Sequence, residues 1–214
     1  RVSKVFTNLP KTLMIGTPLS DVFRQFKIDC LAEGIDDVSY LVGAAGSGGY
    51  FDIIAPPNDR PLQEGDVLML DTGTKWDGYF CDFDRNFAFG NVNDNVKKAY
   101  EVTWNALTKG IEEAKPGKRC SDIYKSMNKL LIEAGSAGNG VGRMGHGFGL
   151  QLTEPPSIME NDNTVLEKGM TLAIEPVYEF ESGNILVQEE DIVITETGNE
   201  IITKRSPKEI PIIR

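Results

Sequence analysis

The chain states one pattern twice. Within Gly16 to Gly34, Ser20-Asp21-Val22-Phe23-Arg24 is matched 101 positions later by Ser121-Asp122-Ile123-Tyr124-Lys125, within Gly117 to Gly135. Each segment has apolar residues at helical spacing, a Ser or Asp available as a cap, and a closing glycine, which predicts a helix. Downstream, Leu62-Gln63-Glu64-Gly65 leads into Val67-Leu68-Met69-Leu70-Asp71. At an offset of 104, Leu166-Glu167-Lys168-Gly169 leads into Thr171-Leu172-Ala173-Ile174-Glu175. Chance likeness of cap chemistry could produce either match, but hardly both in register. Two helix-then-strand units in one order imply an internal duplication with pseudo-twofold symmetry. Asp71 and Glu175 then become equivalent acids at the ends of equivalent strands, and should approach each other near the pseudo-axis.

A chain of 214 residues is accommodated as one domain, with halves of about 1–92 and 93–214. The second half has a long predicted helix, about Asp94 to Ala114, before its Pro116-Gly117 turn. Its counterpart has only the fifteen residues before Gly16, interrupted by Pro10, so the expectation is a chain that starts inside that helix, with an upstream domain absent. A net charge of −10 provides no basic patch for nucleic acid. No apolar run is long enough to span a membrane, and Arg1-Val2-Ser3-Lys4 does not lead into a signal peptide. Cys30, Cys81 and Cys120 are odd in number and share no metal-like spacing, which fits unpaired thiols in a reducing, cytoplasmic setting.

His146 is the single histidine, set among glycines in Gly145-His146-Gly147-Phe148-Gly149. One neutral imidazole with several carboxylates suits hard or borderline divalent cations. Asp77-Gly78 is a preferred dipeptide of a two-residue hairpin turn. That turn would set Trp76 opposite Tyr79, Gly73 opposite Asp82 and Asp71 opposite Asp84. Residues two apart share a face, as do cross-strand partners, so Asp71, Asp82 and Asp84 would project together with Gly73 leaving a gap. Opposed like charges are destabilising unless a cation or solvent relieves them, and the hairpin alone is compatible with either. Glu175 precedes Pro176, which favours an extended backbone at the acid. Glu189-Glu190-Asp191 is an acidic run inside the predicted strand Ile185 to Thr195, and periodicity does not decide which acid points inward.

Taken together, these residues resemble the pita-bread metallopeptidase superfamily (peptidase family M24), in its Xaa-Pro aminopeptidase and prolidase-like branch. The likeness runs over essentially the whole chain. Its motifs are D-x-G with a second aspartate eleven residues after the first (Asp71, Asp82), G-H-G-x-G (His146), I-E-P (Glu175) and E-x-D-I-V-I-T-E-T-G (Glu189); Glu154-Pro155-Pro156 also matches. The resemblance implies an α+β, duplicated pita-bread fold, with a curved, mostly antiparallel sheet and helices on its outer face. It also implies that Asp71, Asp82, His146, Glu175 and Glu189 hold two divalent metal ions (manganese, cobalt, zinc or iron), four carboxylates balancing their charge. A hydroxide bridging the metals would attack an amide carbonyl, with Glu175 helping to deprotonate it.

Departures from the pattern shape the expected activity. A histidine normally follows the ligand histidine by seven residues, and Thr153 stands there; it can donate a hydrogen bond but is no base near pH 7. A second histidine is expected around Ile54 to Pro57, and none is present. The arginine two residues before the last glutamate is Val187, and Asp84 replaces a threonine beside the metals. Asp84 is a candidate extra group of the metal shell, or a partner of Arg85 or Lys75. The foremost expectation is a dinuclear hydrolase of the Xaa-Pro dipeptidase or aminopeptidase type, acting on a small peptide. Second is a pita-bread enzyme for another small molecule, as the superfamily's creatine hydrolases, ectoine hydrolases and dimethylsulfoniopropionate lyases exemplify. Third is a non-catalytic binding homologue. The resemblance also allows a homodimer of the full-length protein.

Overall fold

The computed structural model describes residues 1–138 and 142–214. In the first half, α1 (Val2–Asn8), a 3-10 turn (Leu9–Lys11) and α2 (Leu19–Ala32) precede β1 (Asp37–Ser47), β2 (Asp66–Trp76), β3 (Tyr79–Phe80) and β4 (Phe83–Phe89). The second half contains α3 (Asp94–Glu113), α4 (Cys120–Glu133), β5 (Gly145–Gly147), β6 (Glu154–Ser157) and β7 (Thr171–Ile174). It continues through β8 (Val177–Glu179), β9 (Ile185–Val187), β10 (Glu190–Ile194), β11 (Asn199–Ile201) and β12 (Ile212–Ile213). One five-stranded sheet runs β1-β2-β4-β12, with β3 pairing β2; a second runs β11-β10-β7-β5-β6; β8 and β9 form a separate ribbon. All pairings are antiparallel except β12 with β4.

The repeat read from the sequence recurs bond for bond. The Gly16 amide donates to the Leu62 carbonyl at 2.7 Å, and the Gly117 amide donates to Leu166 at 2.9 Å. Leu62 N–H returns to Thr17, and Leu166 N–H to Lys118. Gly65 N–H reaches Phe89 and Gly169 N–H reaches Ile194, each at 2.8 Å. Neither α2 nor α4 is capped by a Ser or Asp side chain, contrary to the sequence expectation. The first amides are instead met by the returning loop: Ser20 N–H donates to Asn58 O and Ser121 N–H to Asp162 O, both at 2.8 Å. Those carbonyls satisfy donors a helix cannot meet internally.

Each half buries its helices on its own sheet. Phe6, Phe23 and Phe26 of α1 and α2 pack on Leu68, Leu70 and Phe83. Leu107, Ile123, Met127 and Leu131 of α3 and α4 pack on Leu172, Ile174 and Ile192. A third cluster, including Tyr50, Met69, Tyr100 and Leu186, joins the halves. The predicted strand Ile185 to Thr195 is broken at Gln188-Glu189, because β9 pairs with β8 whereas β10 pairs with β7 and β11. No helix among the described residues is long and apolar enough to cross a membrane.

Candidate metal centre

The hairpin forms in the expected register. Asp71 of β2 lies opposite Asp84 of β4, and Trp76 opposite Tyr79. Asp77 and Gly78 both take positive φ, 52° and 83°, which the tight turn requires and which Asp and Gly tolerate best. The ladder opens at Cys81-Asp82, between β3 and β4. There the Asp82 amide donates to Asp191 Oδ2 at 3.1 Å, tying the first sheet to β10 of the second.

His146 comes from the other half. On β5 it lies opposite Ala173 of β7, and Asp191 of β10 lies opposite the same Ala173, so His146 and Asp191 share a face. This close approach requires Gly145: its φ is +144°, and a Cβ there would stand 2.3 Å from the Ala173 carbonyl oxygen. The imidazole is buried, and its Nδ1 lies 2.9 Å from the Gly147 carbonyl. A carbonyl only accepts, so Nδ1 carries the proton and the Nε2 lone pair faces the acids, the tautomer suited to metal ligation. Nε2 is 3.4 Å from Asp82 Oδ2 and 3.8 Å from Glu175 Oε1. Burial, reinforced by the Arg143 cation, lowers the imidazole pKa to about 4, keeping it neutral.

Asp82, His146 and Glu189 each offer a ligand atom, all within 4.8 Å of one another. Asp71 and Glu175 complete the convergence: Asp71 raises the pKa of Asp82, Glu175 and Glu189 through its charge, and Glu175 is the acid beside His146. Burial lifts Asp71 and Glu175 to about 7 and Asp82 to about 10, and holds Glu189 and Asp84 well above the carboxylate range. Asp71 Oδ1, Asp84 Oδ2 and Glu175 Oε1 are sealed from solvent with no hydrogen-bond partner. Buried carboxylates this close cannot all stay ionised without a counter-charge. Oxygen-rich donors with one neutral imidazole fit divalent cations.

Metallopeptidase family M24 matches residues 1–196. The chain belongs to metallopeptidase family M24. It is 30% identical over 217 residues to a probable dipeptidase PepE of Mycobacterium bovis, covering 99% of this chain and 56% of that protein. To the Xaa-Pro dipeptidase of Pyrococcus furiosus it is 31% identical over 148 residues, covering 69% of this chain and 42% of that protein. The crystal structure of dipeptidase PepE from Mycobacterium ulcerans superposes with a TM-score of 0.92 at 28% identity, over 99% of this chain and 57% of that one. The chain thus spans little more than half the length of these PepE relatives, and the pita-bread fold expected from the motifs is the fold observed.

The remaining candidates fare differently within this M24 framework. Thr153 is exposed on the bend before β6. Leu152 beside it fills the expected gap, since a Cβ on Gly73 would meet Leu152 Cδ1 at 2.1 Å and Tyr40 Cβ at 3.2 Å. Asp84 faces Asp71, and Asn86 Nδ2 donates to its Oδ1 at 3.2 Å. Its carboxylate pairs with neither suggested cation. The Arg85 guanidinium bonds the carbonyls of Asp84, Glu189 and Lys204 and the carboxylate of Glu190, while Lys75 pairs with Asp37 at 3.7 Å.

The acidic run divides three ways. Glu189 enters the cluster, Glu190 takes Arg85, Thr203 and the Ser206 amide, and Asp191 holds the Asp82 amide. Sequence reasoning missed Tyr40, which β1 sets opposite Gly73 and which forms a hydrogen bond lowering the Asp71 pKa. It also missed Arg143, whose Nε lies 3.4 Å from Glu175 Oε1; its position three residues before His146 was the available signal.

Proposed function

We propose that the protein hydrolyses the amide bond of a small peptide, with Asp71, Asp82, His146, Glu175 and Glu189 holding two divalent cations. The observation that carries this reading is the convergence of ligand atoms from Asp82, His146 and Glu189 within 4.8 Å, beside buried, unpartnered oxygens of Asp71 and Glu175. Bound there, such ions would lower the pKa of water and stabilise charge developing on the attacked carbonyl. The protein's own residues supply the rest. Donation from Nδ1 to Gly147 fixes the His146 ring with Nε2 directed inward. Asp191 positions Asp82 through its amide, and Arg85 fixes the backbone of Asp84 and Glu189 from behind. Glu175 Oε1 is sealed from solvent with only the Arg143 guanidinium near it, at 3.4 Å, so it is the atom placed to accept a proton from the attacking water.

A second reading, hydrolysis of a small non-peptide molecule on the same centre, is favoured by one observation. His146 is the single histidine, so neither Thr153 nor the stretch around Ile54 to Pro57 supplies the histidines that the resemblance expects there. Loss of such proton-transfer groups costs roughly a hundred- to ten-thousandfold in rate. We assign the whole protein to the cytoplasm on its unpaired thiols, and allow a homodimer. The deciding experiment assays the metal-loaded protein on Xaa-Pro dipeptides, other dipeptides and longer Xaa-Pro peptides, with and without chelator. Chelator-sensitive cleavage of dipeptides is the expected result; no turnover of any peptide overturns the peptidase reading.

A further inference from the structure

One buried oxygen beside the acid cluster belongs to a residue outside the five-ligand set. Asp84 is 2% exposed, and its Oδ2 is sealed from solvent with no hydrogen-bond partner. It lies directly opposite Asp71 in the β2–β4 ladder, so both side chains leave the sheet on one face, with Cβ atoms about 4.5–5.5 Å apart. The resemblance places a threonine at this position, so the orphan carboxylate is a departure of this chain from that pattern.

The other oxygen of Asp84 is held. Asn86 Nδ2 donates to Asp84 Oδ1 at 3.2 Å and to the Val187 carbonyl at 2.7 Å. The buried Tyr50 hydroxyl donates to Asn86 Oδ1 at 3.0 Å and accepts the Val187 amide at 2.7 Å. This chain of bonds turns Oδ1 toward Asn86 and leaves Oδ2 free, as supporting hydrogen bonds do for carboxylates that ligate metals. The neighbouring cations are committed elsewhere: Arg85 to Glu190 and three carbonyls, Lys75 to Asp37 and Arg143 to Glu175. Like charges opposed across a ladder destabilise it, and a buried carboxylate without a counter-charge is costlier still. A metal ion bonds a carboxylate oxygen at about 2.0–2.2 Å, closer than a hydrogen-bonded water, so an oxygen closed to solvent is open to an ion.

We propose that Asp84 is a sixth protein ligand of the divalent-cation centre, and that its carboxylate shifts the preference of that centre toward manganese relative to zinc. The inference rests on the hydrolase reading above and extends its ligand set. Five carboxylates and one imidazole make a nearly all-oxygen donor set. Manganese takes six-coordinate, oxygen-rich surroundings, whereas zinc is satisfied by four donors and accepts nitrogen readily. Removing charge alone would weaken two divalent ions alike; removing a ligand oxygen costs more to the ion that needs the larger number.

The test strips the intact protein of metal, desalts it and titrates it by calorimetry with Mn²⁺ and with Zn²⁺ separately, for wild type, Asp84→Asn and Asp84→Thr. Both variants are expected to bind Mn²⁺ at least about tenfold more weakly, the lower end of what even supporting groups of a metal site contribute, and to lose less affinity for Zn²⁺. In chelator, Asp84→Asn, which keeps the shape of the side chain, should unfold at a higher Tm than wild type because the opposed charge is gone. Unchanged Mn²⁺ affinity in the variants, equal losses for the two ions, or a lowered Tm of Asp84→Asn in chelator would each overturn the proposal, the last by assigning Asp84 to the fold. The hydrolase reading survives those results as long as the metal-loaded wild type cleaves peptides, whereas a wild type that binds neither ion defeats both.

Discussion

Replacing Gly145 by alanine should damage both fold and metal centre, to an extent the structure lets us work out. The residue has φ +144°, and an added Cβ would stand 2.3 Å from the Ala173 carbonyl oxygen and 2.9 Å from Ile158 Cδ1. The backbone conformation alone costs a side chain about 1–3 kcal/mol. Forcing a methyl against a backbone oxygen adds about 1–3 kcal/mol, because β5 and β7 must part for it. The sum, about 2–6 kcal/mol, is a large fraction of a typical folding free energy. For a protein of this size it lowers Tm by roughly 4–24 °C. Gly169→Ala is the control: φ is +93° there, but nothing lies within 4 Å of the added Cβ. That variant carries only the conformational cost, about 1–2 kcal/mol. Thermal unfolding of both variants without metal, followed by metal titration, gives the comparison. Gly145→Ala should unfold well below Gly169→Ala and bind metal more weakly, since His146 is the adjacent residue. Equal Tm values with unchanged metal affinity would refute the argument that close β5–β7 packing sets His146.

Arg85→Met should destabilise the protein by about 3–5 kcal/mol in denaturant unfolding, because it strands the buried Glu190 carboxylate and breaks the join between β4 and the segment after β10; a loss below about 1 kcal/mol would show that the pair is not essential. Metal-free protein should lose stability as pH rises from about 4 to 7. Burial raises Asp71 and Glu175 to about 7 from ordinary values of 3.8 and 4.5, so the folded state holds protons that the unfolded state has released. His146 works the other way, its folded pKa of about 4 lying below its ordinary 6.5, so its contribution is lost as pH falls, but the raised acids outnumber it. Unfolding in chelator across this range checks the sign, and stability rising with pH would contradict it. Added divalent metal should stabilise progressively more over the same interval, as it displaces those protons.

How far the sequence carried can be seen at particular residues. The duplicated loop was legible because both copies kept a glycine before the strand and an acid six residues beyond it, although Asp71 lies within β2, which continues to Trp76, and Glu175 just follows β7; the bonds from Gly16 and Gly117 show that the two loops fold alike. The hairpin register was legible because Asp77-Gly78 dictates one turn. Helix caps were misread, since Ser20 and Ser121 have the right chemistry but loop carbonyls distant in sequence reach their amides first. The break at Gln188-Glu189 was invisible, as alternation says nothing about which partner strand each segment finds. For the same reason alternation could not divide Glu189, Glu190 and Asp191 among their three partners, and only the motif resemblance singled out Glu189. Arg143 escaped because its position three residues before His146 was the only signal, and its place beside Glu175 emerges only in the fold.

Metal analysis of the purified protein after divalent-ion loading and desalting, beside His146→Ala treated identically, tests the central claim most directly. The account predicts two divalent ions per chain in the wild type and fewer in the variant, which keeps the carboxylates but loses the one nitrogen aimed among them. A wild type that retains no metal, or a variant with undiminished stoichiometry and affinity, would contradict it.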